Sequence, residues 1–305
     1  MTELPRRAPL ALRTVAVASA IAAVARLAAA DAKPEPWKTL LGKIGPSIVT
    51  VKVVLKMETT MGGQSRDQES RQTLQGVVVD PSGLIMTSNT SLSADRYKEL
   101  MGSFGGNTGE QGFDFKITPT DVKVIFERES EEHPASIVAR DTILDLAFIQ
   151  VDDISDRKLA AISFDSETAC DIGDEILLVS RLERSYDYAP YFERGHIAGI
   201  VQKPREAWLV DAWFSGLGLP VFSQSGQVVG AYVTLSAGGR DADDSGFGDM
   251  MMMFGQGSRG GLPIQPFVVP SGAVKGVIGQ AKKQAADLAA KKSSAPQEPD
   301  GPAKD

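Results

Sequence analysis

Short β-branched runs, each ended by Gly, Pro or Asp, follow one another from Ser47 to Val268 with little helical periodicity between them. Ile48, Val49, Val51, Val53 and Val54 make the first run, and residues 76–80 and 84–87 flank Pro81-Ser82-Gly83 as a hairpin. Residues 121–126, 135–140 and 146–151 continue the series. Residues 175–180, 195–202, 208–211, 227–233 and 261–268 form a second set without repeating the sequence of the first. Many short strands joined by turns predict an all-β fold of barrels or sandwiches. Helix is predicted mainly at the two ends. Residues 36–44 stop at Gly45-Pro46, and residues 272–290, capped by Ser271, place Val274, Val277, Ile278, Ala281, Ala285 and Leu288 on one face. The polar, glycine-containing stretch 57–72 reads as a surface loop.

With 42% hydrophobic and 23% charged residues, the 305-residue chain has the material for a full soluble core. A net charge of −7 without a basic stripe argues against nucleic acid as a partner. Cys170 is the single cysteine, which excludes an internal disulfide and a thiolate metal cage; it reads as a small buried apolar residue. Arg6, Arg7 and Arg13 precede the apolar residues 14–25 and the small residues that run to Ala30. That order predicts a secretory signal over residues 1–30, with an exported chain in the periplasm or outside the cell. The apolar run falls short of the roughly 20 residues needed to span a bilayer. Residues 291–305 form a Lys/Pro/Ser/Asp tail predicted to be disordered.

The most informative stretch is Trp213-Phe214-Ser215-Gly216-Leu217-Gly218-Leu219-Pro220, which leads into a short apolar strand. A glycine-rich turn running into proline is the setting in which a nucleophilic serine is cradled, because backbone N–H groups must converge on a developing oxyanion. The stretch resembles the Gly-Asn-Ser-Gly-Gly-Pro-Leu loop of trypsin-like proteases of the HtrA/Deg type. Further resemblances lie in Ser47-Ile48-Val49-Thr50-Val51, in the hairpin through Thr87-Ser88-Asn89-Thr90, in Asp145-Leu146-Ala147, in Ile172-Gly173-Asp174, in Gly199-Ile200-Val201 and in Val268-Val269-Pro270-Ser271. The resemblance covers roughly residues 37–283 and leaves no room for a PDZ domain. It implies a trypsin-like double β-barrel over residues 31–290. The first barrel is expected at about 46–158 and the second at about 159–268, with a short N-terminal helix and a C-terminal helix at 271–290.

The same resemblance implies a triad, and the chain departs from it. The family's His position is Thr90, its Ser position is Leu217, and only Asp145 is kept; Ser215 replaces a glycine beside Gly216 and Gly218 in the oxyanion loop. Leucine has no heteroatom, and a hydroxyl does not take up a proton near neutrality. Losing either serine or histidine from such a unit costs about a millionfold in turnover. The expectation is therefore a catalytically inactive relative that binds protein or extended peptide, without a cofactor or metal. A weak serine endopeptidase and a subunit paired with an active relative are the alternatives. By family resemblance, a homo-oligomer such as a trimer is implied.

A buried carboxylate needs partners, so Asp145 is predicted to bond Thr90. His133 and His196 read as surface residues. Phe247, Met250, Met251, Met252, Met253 and Phe254 form a flexible apolar cluster after the Asp- and Gly-rich residues 238–249. That cluster either contacts a partner or folds over the cleft. The Asp spacing before it lacks the pattern of a calcium loop. Trp37 either packs on its own barrel or supports an oligomer contact.

Overall fold

The computed structural model describes residues 37–61, 63–93, 114–127, 129–154, 157–166, 168–203, 205–234 and 266–294. Helix α1 (Trp37–Ile44) leads into six strands: β1 (Ile48–Met61), β2 (Gln64–Asp80), β3 (Leu84–Ser88), β4 (Asp114–Ile125), β5 (His133–Asp141) and β6 (Leu146–Val151). Six more follow: β7 (Glu175–Arg181), β8 (Pro190–Val201), β9 (Ala207–Val210), β10 (Pro220–Ser223), β11 (Val228–Thr234) and β12 (Pro266–Pro270). Helix α2 (Ser271–Ser294) closes the described chain and runs past Ala290, where the sequence suggested an end.

The strands form two closed antiparallel barrels, β1-β2-β3-β6-β5-β4 and β7-β8-β9-β12-β11-β10. Adding six to each strand number of the first gives the second. The architecture is duplicated although no sequence repeat betrays it, because a barrel needs only the alternation of inward and outward residues, not particular ones.

Residues 57–61 and 64–72, which read as part of a surface loop in the sequence, are strand instead. They belong to a long β1–β2 hairpin in continuous register from Ile48↔Val77 to Met61↔Gln64. β4 lines the other side of β1 as far as Thr60↔Asp114. Much of this ribbon meets water, so the apolar–polar alternation that marks a half-buried strand is missing. Surface charge replaces it: Lys56 bridges Asp67 across the strands at 3.0 Å and Glu58 along its own strand at 3.1 Å.

Strands β2, β3 and β6 carry the junction between barrels. Val78, Ile85, Ala147 and Ile149 point into the first barrel with Val49, Val51 and Val53. Their neighbours Val77, Val79, Leu84, Met86, Leu146 and Phe148 belong to a second cluster that runs on through the other barrel and onto α2. Burial on both faces explains the unbroken apolar runs seen in the sequence at 77–79 and 84–86. Val274, Ile278 and Ala281 seat α2, and Lys282 reaches Asp80 at 2.8 Å. Trp37 stacks on Phe192 of β8 at 5.1 Å, so it packs on its own chain. Among the described residues, no helix is long and apolar enough to cross a membrane.

Candidate functional site

The junction of the barrels brings Thr90, Asp145 and Thr234 together, although Thr234 lies 144 positions beyond Thr90. Thr90 opens the single helical turn after β3, Asp145 ends the turn before β6, and Thr234 ends β11. The turn holding Asp145 is shaped by Asp141, whose Oδ1 accepts from the Ile143 N–H at 3.0 Å and the Leu144 N–H at 2.7 Å. Asp145 itself is left-handed, with φ +55°, a conformation that a short polar side chain tolerates. Its carbonyl accepts from the Asn89 N–H at 3.0 Å, which locks the two turns together.

Asp145 is only 3% exposed, and its carboxylate is filled with donors. Oδ1 accepts from the Thr90 N–H at 2.6 Å and the Thr90 hydroxyl at 2.7 Å. Oδ2 accepts from the Ser88 hydroxyl at 3.0 Å and the Thr234 hydroxyl at 2.5 Å. Each threonine has one hydroxyl proton and gives it to the carboxylate, so the two Oγ1 atoms, 3.2 Å apart, meet as acceptors. The predicted Thr90–Asp145 bond is present. Ser88 and Thr234 were not foreseen, since nothing in the sequence ties residues this far apart.

The glycine-rich loop abuts this site from the second barrel. Gly218 has φ +80°, and a Cβ there would lie 2.3 Å from the Ser88 nitrogen and 2.4 Å from the Thr87 carbonyl carbon. Only glycine permits that approach. Tyr232 of β11 braces the loop: its carbonyl accepts from the Gly218 N–H at 2.7 Å, its N–H donates to the Leu219 carbonyl at 2.9 Å, and its hydroxyl accepts from the Phe214 N–H at 3.2 Å. Burial, reinforced by the nearby Glu193 charge, pushes the Tyr232 phenol up to about 12. Leu217 is half-buried and packs against the shared core. Gly216 is buried behind it, where a Cβ would meet the Leu219 side chain at 2.4 Å.

Ser215 is held from β8. Its N–H donates to the Glu193 carboxylate at 3.1 Å and 3.2 Å, its hydroxyl donates to the same group at 2.5 Å, and Tyr191 Oη lies 2.7 Å from that hydroxyl. Tyr191 and Glu193 are two apart on one strand and so share a face. That periodicity is the one signal that could have grouped them. Trp213, two residues before Ser215, is 72% exposed.

Neither imidazole joins the constellation. His196 is exposed, as expected, and its Nδ1 lies 3.0 Å from Asp211 Oδ2. His133 is not the surface residue its charged surroundings suggested: it is 9% exposed at the start of β5, with Phe126 5.3 Å from its ring. Pairing with Val124 in the sheet pulls it inward. Cys170 packs against the shared core, and burial, with Asp174 nearby, pushes its thiol up to about 12. The signal segment 1–30 and the cluster Phe247, Met250, Met251, Met252, Met253 and Phe254 lie outside the described residues.

Residues 75–230 match the family of the trypsin-like peptidase domain. The chain belongs to that family. The matched span runs from β2 to β11 and contains Thr90, Asp145 and the glycine-rich loop, all on the serine-peptidase fold. No curated protein matches the chain. Among solved structures it is similar to one described as "Crystal structure of Deg5", at 19% identity and a TM-score of 0.44, over 64% of this chain and 83% of that one. In this trypsin-like domain the junction carboxylate is surrounded by hydroxyl and N–H donors. The arrangement can hold two barrels together: among the described residues, the hydrogen-bond partners of the Asp145 carboxylate are three hydroxyls and one backbone N–H, drawn from both barrels.

Proposed function

We propose that this trypsin-like protein is catalytically inactive and acts in the cell envelope by binding protein, taking an extended peptide beside the glycine-rich loop. The observation that carries the reading is the Asp145 constellation. Thr90 spends its only hydroxyl proton on Asp145 and offers no nitrogen base, and Leu217 brings no attacking oxygen to the loop. Glu193 adds a second obstacle. Its carboxylate occupies the Ser215 N–H, so negative charge already sits where an oxyanion would develop. What remains suits binding. Trp213 offers a rigid apolar surface next to the loop, and an extended peptide associates through backbone hydrogen bonds that need no triad.

One observation favours the rival reading of a weak serine peptidase: the Ser215 hydroxyl donates to Glu193, a serine paired with a general base. A carboxylate is a much weaker base than imidazole, so the pair is a poor activator. Fluorophosphonate labelling and casein digestion separate the two readings. Wild type is expected to give neither, while carboxymethylated casein binds and binding weakens several-fold in Trp213→Ala. Labelling or turnover that disappears in Ser215→Ala overturns the inactive reading.

A further inference from the structure

Residues 129–133, which lead into β5, carry three metal-ligating side chains at every second position. Extended backbone with this spacing puts Glu129, Glu131 and His133 on one side of the chain, and Pro134 keeps His133 extended. One ligand atom from each of the three lies within 4.8 Å of the others. His133 Nε2 is 3.6 Å from Glu129 Oε2 and 4.0 Å from Glu131 Oε2.

Two of these atoms are in an unfavourable position as they stand. His133 Nε2 and Glu129 Oε2 are both inaccessible to solvent and have no hydrogen-bond partner among the described residues. They face each other across a gap too long for a hydrogen bond. A buried polar atom without a partner costs on the order of 1–3 kcal/mol, and here two such atoms point at one spot. Glu129 is already fixed at its other oxygen: Arg157 Nη1 donates to Oε1 at 2.6 Å, which leaves Oε2 for something else. Phe126 supports both neighbours, with its ring 5.3 Å from the imidazole and 5.6 Å from the Arg157 guanidinium carbon. Arg157 Nη2 also lies 3.6 Å from Glu131 Oε2, beyond hydrogen-bond reach, so of the two carboxylates only that of Glu129 is held in place. An oriented carboxylate held by a donor on its far oxygen is how outer partners support metal ligands.

We propose that Glu129, Glu131 and His133 bind a divalent first-row transition cation, with zinc as the best fit. For metal–ligand bonds of about 2.0–2.1 Å at tetrahedral angles, neighbouring ligand atoms stand about 3.4 Å apart. The observed 3.6 Å and 4.0 Å need only small contractions, and Glu131, on an exposed side chain, is free to make the larger one. The imidazole selects against magnesium and calcium, which prefer oxygen alone. Binding through Nε2 requires the neutral ring with its proton on Nδ1. Water completes the shell. The site lies on the β4–β5 connection of the first barrel and does not depend on the proposed loss of catalysis.

The test uses the untagged full chain, stripped with chelator and titrated with zinc chloride by calorimetry. One equivalent is expected to bind. Affinity should fall at least about tenfold in Glu129→Gln and in Glu131→Gln, and stay unchanged in His196→Asn. Glu131 is exposed, so its variant folds even if a His133 variant does not; circular dichroism checks this. A tenfold excess of calcium should leave zinc binding intact. Absence of binding, binding that survives both glutamine variants, loss in His196→Asn, or displacement by calcium each overturns the site.

Discussion

Truncating Asp145 measures whether the constellation is structural. The carboxylate accepts four hydrogen bonds in a place that is 3% exposed. Asp145→Ala removes them all. The Ser88, Thr90 and Thr234 hydroxyls can turn to new partners, but the Thr90 N–H is fixed and is left without an acceptor, at about 1–3 kcal/mol. Alanine also suits φ +55° poorly, which adds about 1–2 kcal/mol. The sum is about 2–5 kcal/mol. Asp145→Asn is milder. It keeps an oxygen for the Thr90 N–H, its amide can donate to Ser88 and Thr234, and asparagine tolerates the left-handed region. It loses the charge assistance alone, expected at about 1–2 kcal/mol. Equilibrium urea unfolding, followed by circular dichroism and by the fluorescence of buried Trp208, should rank wild type above Asn above Ala with unchanged slopes. A carboxylate merely left over in an open cleft would exchange its partners for water. Both variants within about 0.5 kcal/mol of wild type would therefore refute the structural role.

Four further outcomes follow from the same contacts. Gly218→Ala should destabilise by more than about 3 kcal/mol in urea unfolding, because its Cβ meets the backbone of Thr87 and Ser88 rather than a movable side chain. Thr90→His with Leu217→Ser should give only trace casein turnover, and adding Glu193→Gln and Ser215→Gly should raise fluorogenic casein cleavage at least about a hundredfold above it. Cys170 should react with iodoacetamide at pH 8 at least about tenfold more slowly in the native protein than in urea, since burial keeps its thiol protonated. Burial alone would raise the Asp80 carboxyl, but the Lys282 ammonium and Ser82 outweigh it and hold the group below the usual carboxylate range. Its folded value is thus below its unfolded one, so the stabilisation is present above about pH 4 and is lost as pH falls through the folded value. The melting-temperature gap between wild type and Asp80→Asn should be open at pH 7 and close on acidification.

The parts of the fold that the sequence reveals are those where burial is one-sided or complete. Val77, Val78 and Val79 read as strand because both faces are buried, and Val274, Ile278 and Ala281 read as helix because one stripe is. The outer part of the β1–β2 hairpin is illegible for the opposite reason: Lys56, Glu58, Asp67 and Glu69 pair across strands in water, and their polarity is that of a loop. His133 misleads in the same way, because two glutamates precede it while a sheet partner draws it inward. At the site, Asp145 is legible as the kept member of a motif, and Thr90 and Leu217 of the glycine loop as departures from it. Thr234, Glu193 and Tyr191 are not, because they reach the site only once the second barrel has closed.

That closure also explains why threonine is a workable occupant of position 90. Asp145 lies where Thr90 of the first barrel and Thr234 of the second converge, so its charge is satisfied only by groups from both. A residue at 90 without a donor would leave Oδ1 with a single N–H, and the junction would lose a charge-assisted bond of about 1.5–3 kcal/mol. Threonine supplies a hydroxyl proton at 2.7 Å and brings no titratable nitrogen. On the proposed reading, proton-transfer chemistry and barrel docking make different demands on this position. Docking needs only a donor, which the Thr90 hydroxyl supplies. Leu217 completes the same substitution of roles, since an apolar side chain there joins the core that the two barrels share.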